Sequence, residues 1–317
     1  MRPFLFQIGD YFVASYSAMM FLAVLAAAAT AIFRVRRASL DGATLAKGML
    51  IAIVTGWLFG RVGLWLDGTA RDAGLRILSP TYAAPGSLTY FLLGVCAGLL
   101  IFAAIIGRTA WNYFDALAPS TFVALAFAKI GCLFGGCCAG SLCPSALGIT
   151  YPYGTPAYEH QYRAGKLAVP DNLLRPGEHK DDSPFWGELQ VISLQPEFLA
   201  RRVESAGLPG DSAPRILEGA SSHRSLPVWP VPIAVSVTSL ALWMAAERVY
   251  RASQRPGTTV AFVFAGYGLL RLTFDWFIAQ RGSTHFGMTV AQWVGVCALA
   301  LGAAVYARRA KPAPPEH

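Results

Sequence analysis

Long uncharged stretches alternate with short basic clusters along this chain, and that alternation predicts helices that cross a bilayer. The first apolar run, 11–33, carries no charged residue and is closed by Arg34, Arg36 and Arg37. At 1.5 Å of rise per residue, about 20 apolar residues cover the roughly 30 Å of hydrocarbon in a bilayer. Further runs fall near 47–66, 86–107, 113–136, 226–246, 258–280 and 284–306. The pattern predicts an all-α polytopic membrane protein with about seven transmembrane helices. A cleaved leader ending at Ala27–Ala29 is the competing reading of the first run. Asp10 before it and the arginines after it favour a retained span.

An odd number of spans puts the termini on opposite faces. With the N-terminus outside, the inner connections hold the Arg34 to Lys47 cluster, Arg108, the loop with Arg248, Arg251 and Arg255, and a tail with Arg308, Arg309 and Lys311. Basic residues collect on the cytoplasmic side, so this orientation, with a cytoplasmic C-terminus, is the expected one. Residues 137–225, rich in Pro, Gly, Asp and His, then form a small extracytoplasmic head. The chain divides into helices one to four (1–136), the head (137–225), and helices five to seven with a basic tail (226–317), all one membrane domain. Inside the head, Pro196 to Ala206 followed by Gly207 reads as a short helix, with proline in its first turn and glycine at its end.

Composition agrees: 55% of residues are hydrophobic and 14% charged, against about 25% charged in soluble domains. That excludes an ordinary soluble protein. The net charge of +8 is spread as punctuation between apolar runs, so it reads as topology and no nucleic-acid partner is expected. Four ionisable residues nevertheless fall inside expected spans: Arg61, Lys129, Arg271 and Asp275. Each costs roughly 2.5–3.5 kcal/mol near a helix centre, on the order of 10 kcal/mol together, unless paired or hydrated. Arg271 and Asp275 are spaced to pair on one helix face. Three cations against one anion still leave positive charge that suits an anionic ligand such as a phospholipid phosphate. Arg61 and Lys129 lie close enough to span ends to snorkel instead.

The fourth run ends in Lys129-Ile-Gly-Cys-Leu-Phe-Gly-Gly-Cys-Cys-Ala-Gly140. Its small residues allow either a helix broken at a ligand cavity or tight helix packing followed by a loop. The spacing of Cys132, Cys137, Cys138 and Cys143 does not match the paired Cys-x2-Cys of zinc sites, so no metal is expected. A disulfide involving Cys143 and fully reduced thiols are both open.

These pieces, in their order, resemble the prolipoprotein diacylglyceryl transferases, in the branch with a glycine-cysteine-cysteine signature. The likeness runs from Phe6-Gln7-Ile8-Gly9 and Tyr16, through Gly60-Arg61 with Gly63, Asp115 and Pro119, to the Gly131–Gly140 signature. It continues through Gly148, Pro152, Ala157 and His160, Ser225 to Val228, Tyr267-Gly268 with Arg271 and Asp275, and Gly287-Met288 with Gln292. The resemblance implies transfer of diacylglyceryl from phosphatidylglycerol to the thiol of a prolipoprotein signal peptide, within membrane lipid and without a cofactor. It implies catalytic roles for Arg271 and for Lys129 at the signature position, and His160 and His285 near the outer face are the candidate surrogate bases. Tyr16, Arg61, Gly131, Gly136, Asp275 and Gln292 are the implied substrate-binding residues. The sequence departs from the family in three places. The third span reads Gly86-Ser87-Leu88-Thr89-Tyr90-Phe91-Leu92 where the family often has a histidine, Lys129 replaces the signature arginine, and the return into the membrane reads Trp229-Pro230-Val231-Pro232. A relative that binds anionic lipid or signal peptide without turnover is therefore the alternative.

Overall fold

Antiparallel pairing opens the chain: β1, Phe4–Ile8, runs against β2, Tyr11–Ala14. Aromatic and β-branched side chains favour such a pleated pair, so the first residues of the expected span at 11–33 are strand. Helix α1 occupies Ser15–Arg37. The structure is a computed structural model that describes residues 4–8, 11–66, 88–177, 183–187, 195–253, 255–279 and 284–310.

Helix α2, Gly42–Leu66, starts ahead of the expected 47 because Asp41 caps it. The Asp41 carboxylate accepts the backbone N–H of Thr44 at 2.8 Å and of Ala43 at 3.2 Å. Helix α3, Leu88–Ile106, ends at Gly107, whose φ of +63° lies in the left-handed region. The expected span at 113–136 is two helices, α4 (Ala110–Leu117) and α5 (Ser120–Gly135), parted at Ala118–Pro119 because proline has no N–H to continue the ladder.

Residues 137–225 contain α6 (Pro156–Arg163), α7 (Pro196–Ser205) and α8 (Ser212–Ser222). Helix α7 is the short helix expected from the sequence, followed by Gly207 at φ +73°. Tyr153, Tyr158, Leu173, Phe185, Trp186, Leu199, Val203 and Ile216 make a core for this segment. Phe185 meets the rings of Tyr153 and Tyr158 edge-on, with centroids 5.1 and 5.2 Å away. Burial pushes the phenol of Tyr158 up to about 12, so it stays neutral in any ordinary buffer.

Helix α9, Val231–Ala252, begins after the expected 226 because Pro227 and Pro230 hold the approach extended. Val228 in that approach bridges both Leu142 and Ile149. Helix α10 is Thr258–Phe274 and α11 is Val290–Ala310. A small hairpin of β3 (Thr284–His285) and β4 (Met288–Thr289) occupies the start of the last expected span.

Among the described residues, five stretches can cross a membrane by length and composition: Ser15–Arg37, Gly42–Leu66, Leu93–Gly135, Thr258–Phe277 and Val290–Arg308. The sequence predicts two spans over the Leu93–Gly135 region, near 86–107 and 113–136; the break at Gly107 falls at the end of the first, and the break at Pro119 falls inside the second. The helices pack chiefly as α2 on α3, α1 on α5, α5 on α9 and α10 on α11. On α3, a Cβ at Gly94 or Gly98 would run into Thr55 and its neighbours on α2, so the four-residue spacing of small residues sets how closely these backbones approach. Phe21, Leu50, Leu100, Ile105, Val237 and Leu269 are each more than 60% exposed. Such outward apolar rows suit lipid.

Two buried polar joints tie the bundle together away from those rows. Arg34 is 2% exposed, although its place in a basic cluster suggests a solvated topological charge. Its Nε donates to the Ala116 carbonyl at 2.7 Å, one terminal nitrogen pairs with Glu247 at 3.0 Å, and the other donates to Ser120 Oγ. Asp115 accepts the backbone N–H of Gly257 at 2.5 Å and of Val260 at 2.9 Å, so a carboxylate from α4 caps α10.

Candidate functional site

Helix α5 delivers Lys129 and helix α10 delivers Arg271 to one cavity of about 80 Å³, which Tyr267, Phe274, Asp275 and Ile278 also line. Arg271 and Asp275 do not pair. Helix α10 ends at Phe274, so Asp275 sits on the following tighter turn, where it accepts the Thr289 hydroxyl at 2.5 Å. The pair that their spacing allows is therefore not formed, and Arg271 keeps a buried Nε with no hydrogen-bond partner. Lys129 reaches the sulfur of Cys138 at 3.6 Å.

A second cavity of about 200 Å³ shares Ile278 with the first and is lined by Gly136, Cys138, His160, Gln161, Lys166, Trp276 and Val228 among others. His160 projects from α6, and the Gln161 side chain on the same helix accepts from Leu226 N–H and donates to the Leu226 carbonyl, fixing α6 to the return strand. The cavities adjoin through the Lys129–Cys138 contact, which joins a cationic chamber to a chamber with a thiol and an imidazole.

Gly136 makes the junction. Its φ of +70° ends α5 and turns the chain so that Cys137 and Cys138 fold back over the last helical turn. The Cys132, Cys137 and Cys138 sulfurs all lie within 4.8 Å of one another. Sequence spacing alone argues against such a cluster, and the two glycines before Cys137 are the signal that a tight turn can bring it about. The Cys138 thiol is held far below its ordinary range by the two neighbouring thiols and by the Lys129 ammonium 3.6 Å away, while the Cys137 thiol donates to the Cys132 carbonyl at 3.8 Å. A Cβ at Gly136 would stand 2.9 Å from Thr155 Cβ and 3.2 Å from Tyr151. Gly136→Ala is expected to lower stability by about 1–3 kcal/mol, combining left-handed strain with overpacking. Gly107→Ala, at a similar φ in open space, isolates the strain. Comparing the two thermal unfolding midpoints separates the contributions.

The remaining residues singled out in the sequence are distributed around this centre. Tyr16 on α1 lies over Gly131 of α5, and a Cβ at Gly131 would stand 3.4 Å from its ring. The glycine segment therefore combines close packing against α1 with a helix break at a cavity. Arg61 is buried on α2 with its guanidinium 5.9 Å from the centre of the Trp57 ring. Gln292 and Thr289 form a reciprocal cap on α11: Gln292 Oε1 accepts Thr289 N–H at 2.9 Å and Thr289 Oγ1 accepts Gln292 N–H at 3.1 Å. His285 belongs to β3, and its side chain lies outside the described residues, as do residues 86 and 87.

Fold and site together define a multi-pass membrane protein with a cationic chamber inside its helix bundle. The model of the prolipoprotein diacylglyceryl transferase family matches residues 3–308, and the chain belongs to that family. It is 25% identical to the phosphatidylglycerol–prolipoprotein diacylglyceryl transferase of Rhodopirellula baltica, over 91% of this chain and 70% of that relative. It is 30% identical to the protein of the same name from Dehalococcoides mccartyi, over 50% of this chain and 65% of that relative.

Proposed function

We infer that this protein transfers diacylglyceryl from phosphatidylglycerol to the cysteine thiol of a prolipoprotein signal peptide. The observation that carries the reading is the convergence of Lys129 and Arg271 on one intramembrane chamber, with Arg271 Nε unpartnered, in a chain of this family. The reaction forms a carbon–sulfur bond at the glycerol carbon and breaks its bond to phosphate oxygen, releasing glycerol phosphate. Cations placed where charge collects on the departing phosphate lower that barrier. Arg271 offers a planar fork for two phosphate oxygens, and Lys129 adds a compact charge at the side nearer the thiols. His160 faces the neighbouring chamber and is the described histidine placed to receive the thiol proton.

In the membrane, seven crossings follow when Leu93–Gly135 is counted as two segments and α9 as one. The positive-inside pattern puts the N-terminus and the 137–225 head outside and the C-terminus in the cytoplasm of the inner membrane. The Asp275–Thr289–Gln292 chain fixes the start of α11 against the end of α10, beside Arg271. Tyr16, Gly131 and Gly136 border the thiol segment, and Arg61 completes the set of buried cations expected to face substrate.

Glycerol phosphate release is the test. Purified protein with phosphatidylglycerol should release it only when a lipobox peptide with its cysteine is present, and not with the serine counterpart. Saturable lipid binding with no thiol-dependent release would make the protein a lipid-binding relative without turnover.

A further inference from the structure

We propose that Cys132, Cys137 and Cys138 hold a zinc ion whose fourth coordination position opens towards the His160 chamber and takes the thiol of the acceptor peptide. The identity of that thiol rests on the transferase reading above; the metal site rests on geometry. Three sulfurs within 4.8 Å of one another need only small side-chain rotations to meet one ion at about 2.3 Å each. Among the described residues no fourth cysteine, histidine or carboxylate joins the cluster. Cys143 is fully buried and engaged with Ser145 Oγ at 3.0 Å. A site with three protein ligands is the catalytic kind of zinc site, which keeps one position for water or substrate. Cys138, one of the three, lines the 200 Å³ chamber, so the open side has somewhere to admit a ligand.

Charge supports the same ion. Three thiolates with a divalent cation leave one negative charge, and the Lys129 ammonium at 3.6 Å from Cys138 matches it. A lysine gives that compact point charge where an arginine would spread a fork.

The chemistry supplies what the helix α3 segment lacks, since no histidine lies on it. A thiol that coordinates zinc gives up its proton outright, here to solvent in the chamber or to His160. The bound thiolate attacks the glycerol carbon, its lone pair forms the carbon–sulfur bond, and the carbon–oxygen pair departs with the phosphate towards Arg271. Nothing is oxidised or reduced, and the zinc ion is unchanged.

The test uses the full chain in detergent, reduced and purified without chelator, with zinc measured by elemental mass spectrometry and cobalt(II) as the spectroscopic probe. The expected result is one zinc per chain, lost in Cys132→Ser and Cys138→Ser, kept in Cys143→Ser, and bound about 10- to 100-fold more weakly in Lys129→Met. The thiolate-to-cobalt absorption of the wild type should shift when the cysteine peptide is added and not when its serine counterpart is. No stoichiometric uptake by fully reduced wild type, equal loss in Cys143→Ser, or a cobalt spectrum indifferent to the cysteine peptide each overturns the proposal. Zinc binding without diacylglyceryl transfer would instead overturn the transferase reading, and transfer by metal-free protein would overturn this one alone.

Discussion

Arg271→Ala is expected to cut diacylglyceryl transfer by about 100- to 1000-fold, the usual consequence of removing one preorganised donor to transition-state charge. Its folding stability should change little. Arg271 makes no ion pair among the described residues and its Nε is buried without a partner, so alanine strands no anion. The loss should fall mainly on kcat, because negative charge on the leaving phosphate is greatest after the ground state. Arg271→Lys keeps the charge and loses the fork, and should recover only part of the rate. Asp275→Asn separates this role from structure: Asp275 is committed to Thr289, so its loss should show first in unfolding temperature. Wild-type kcat in Arg271→Ala would remove the phosphate from this chamber.

Arg34→Ala is expected to lower stability by about 3–5 kcal/mol, the range for breaking one partner out of a buried charged network. Three acceptors lose their donor at once: Glu247, the Ala116 carbonyl and the Ser120 hydroxyl. Glu247 retains Arg251 at 3.0 Å, which keeps the effect from growing further. Because Arg34 joins α1 to α4, α5 and α9, the loss should appear as a fall in the cooperative unfolding midpoint in detergent. Its neighbour Arg36 is exposed, and Arg36→Ala should stay within about 0.5 kcal/mol. Equal midpoints for the two variants would mean that the Arg34 joint carries no stability.

Five membrane-length stretches among the described residues were legible in the sequence, because bilayer thickness imposes a length that uncharged runs reveal directly. Their ends were less so. Asp41 starts α2 early, and the residues Tyr11–Ala14 pair with Phe4–Ile8, which is a partner choice that a hydrophobicity pattern does not carry. Arg34 reads as one of three arginines after an apolar run, and only the approach of α4 and α9 makes it interior. Arg271, Lys129 and Asp275 were visible as charges in apolar surroundings. The failure of Arg271 to pair with Asp275 was not, because helical spacing assumes that α10 continues, and it stops at Phe274. The thiol cluster was hidden for a related reason: ligand-spacing rules presume a regular path between cysteines, whereas Gly136 reverses it within one residue.

The transfer itself is most directly measured by the mass of the peptide. A synthetic signal peptide with its lipobox cysteine, incubated with the purified protein and phosphatidylglycerol, should gain one diacylglyceryl group in a thioether that survives hydroxylamine. Phosphatidylcholine should not replace the lipid. An unchanged peptide mass, beside a relative that modifies the same peptide under the same conditions, would contradict the transferase reading of this site.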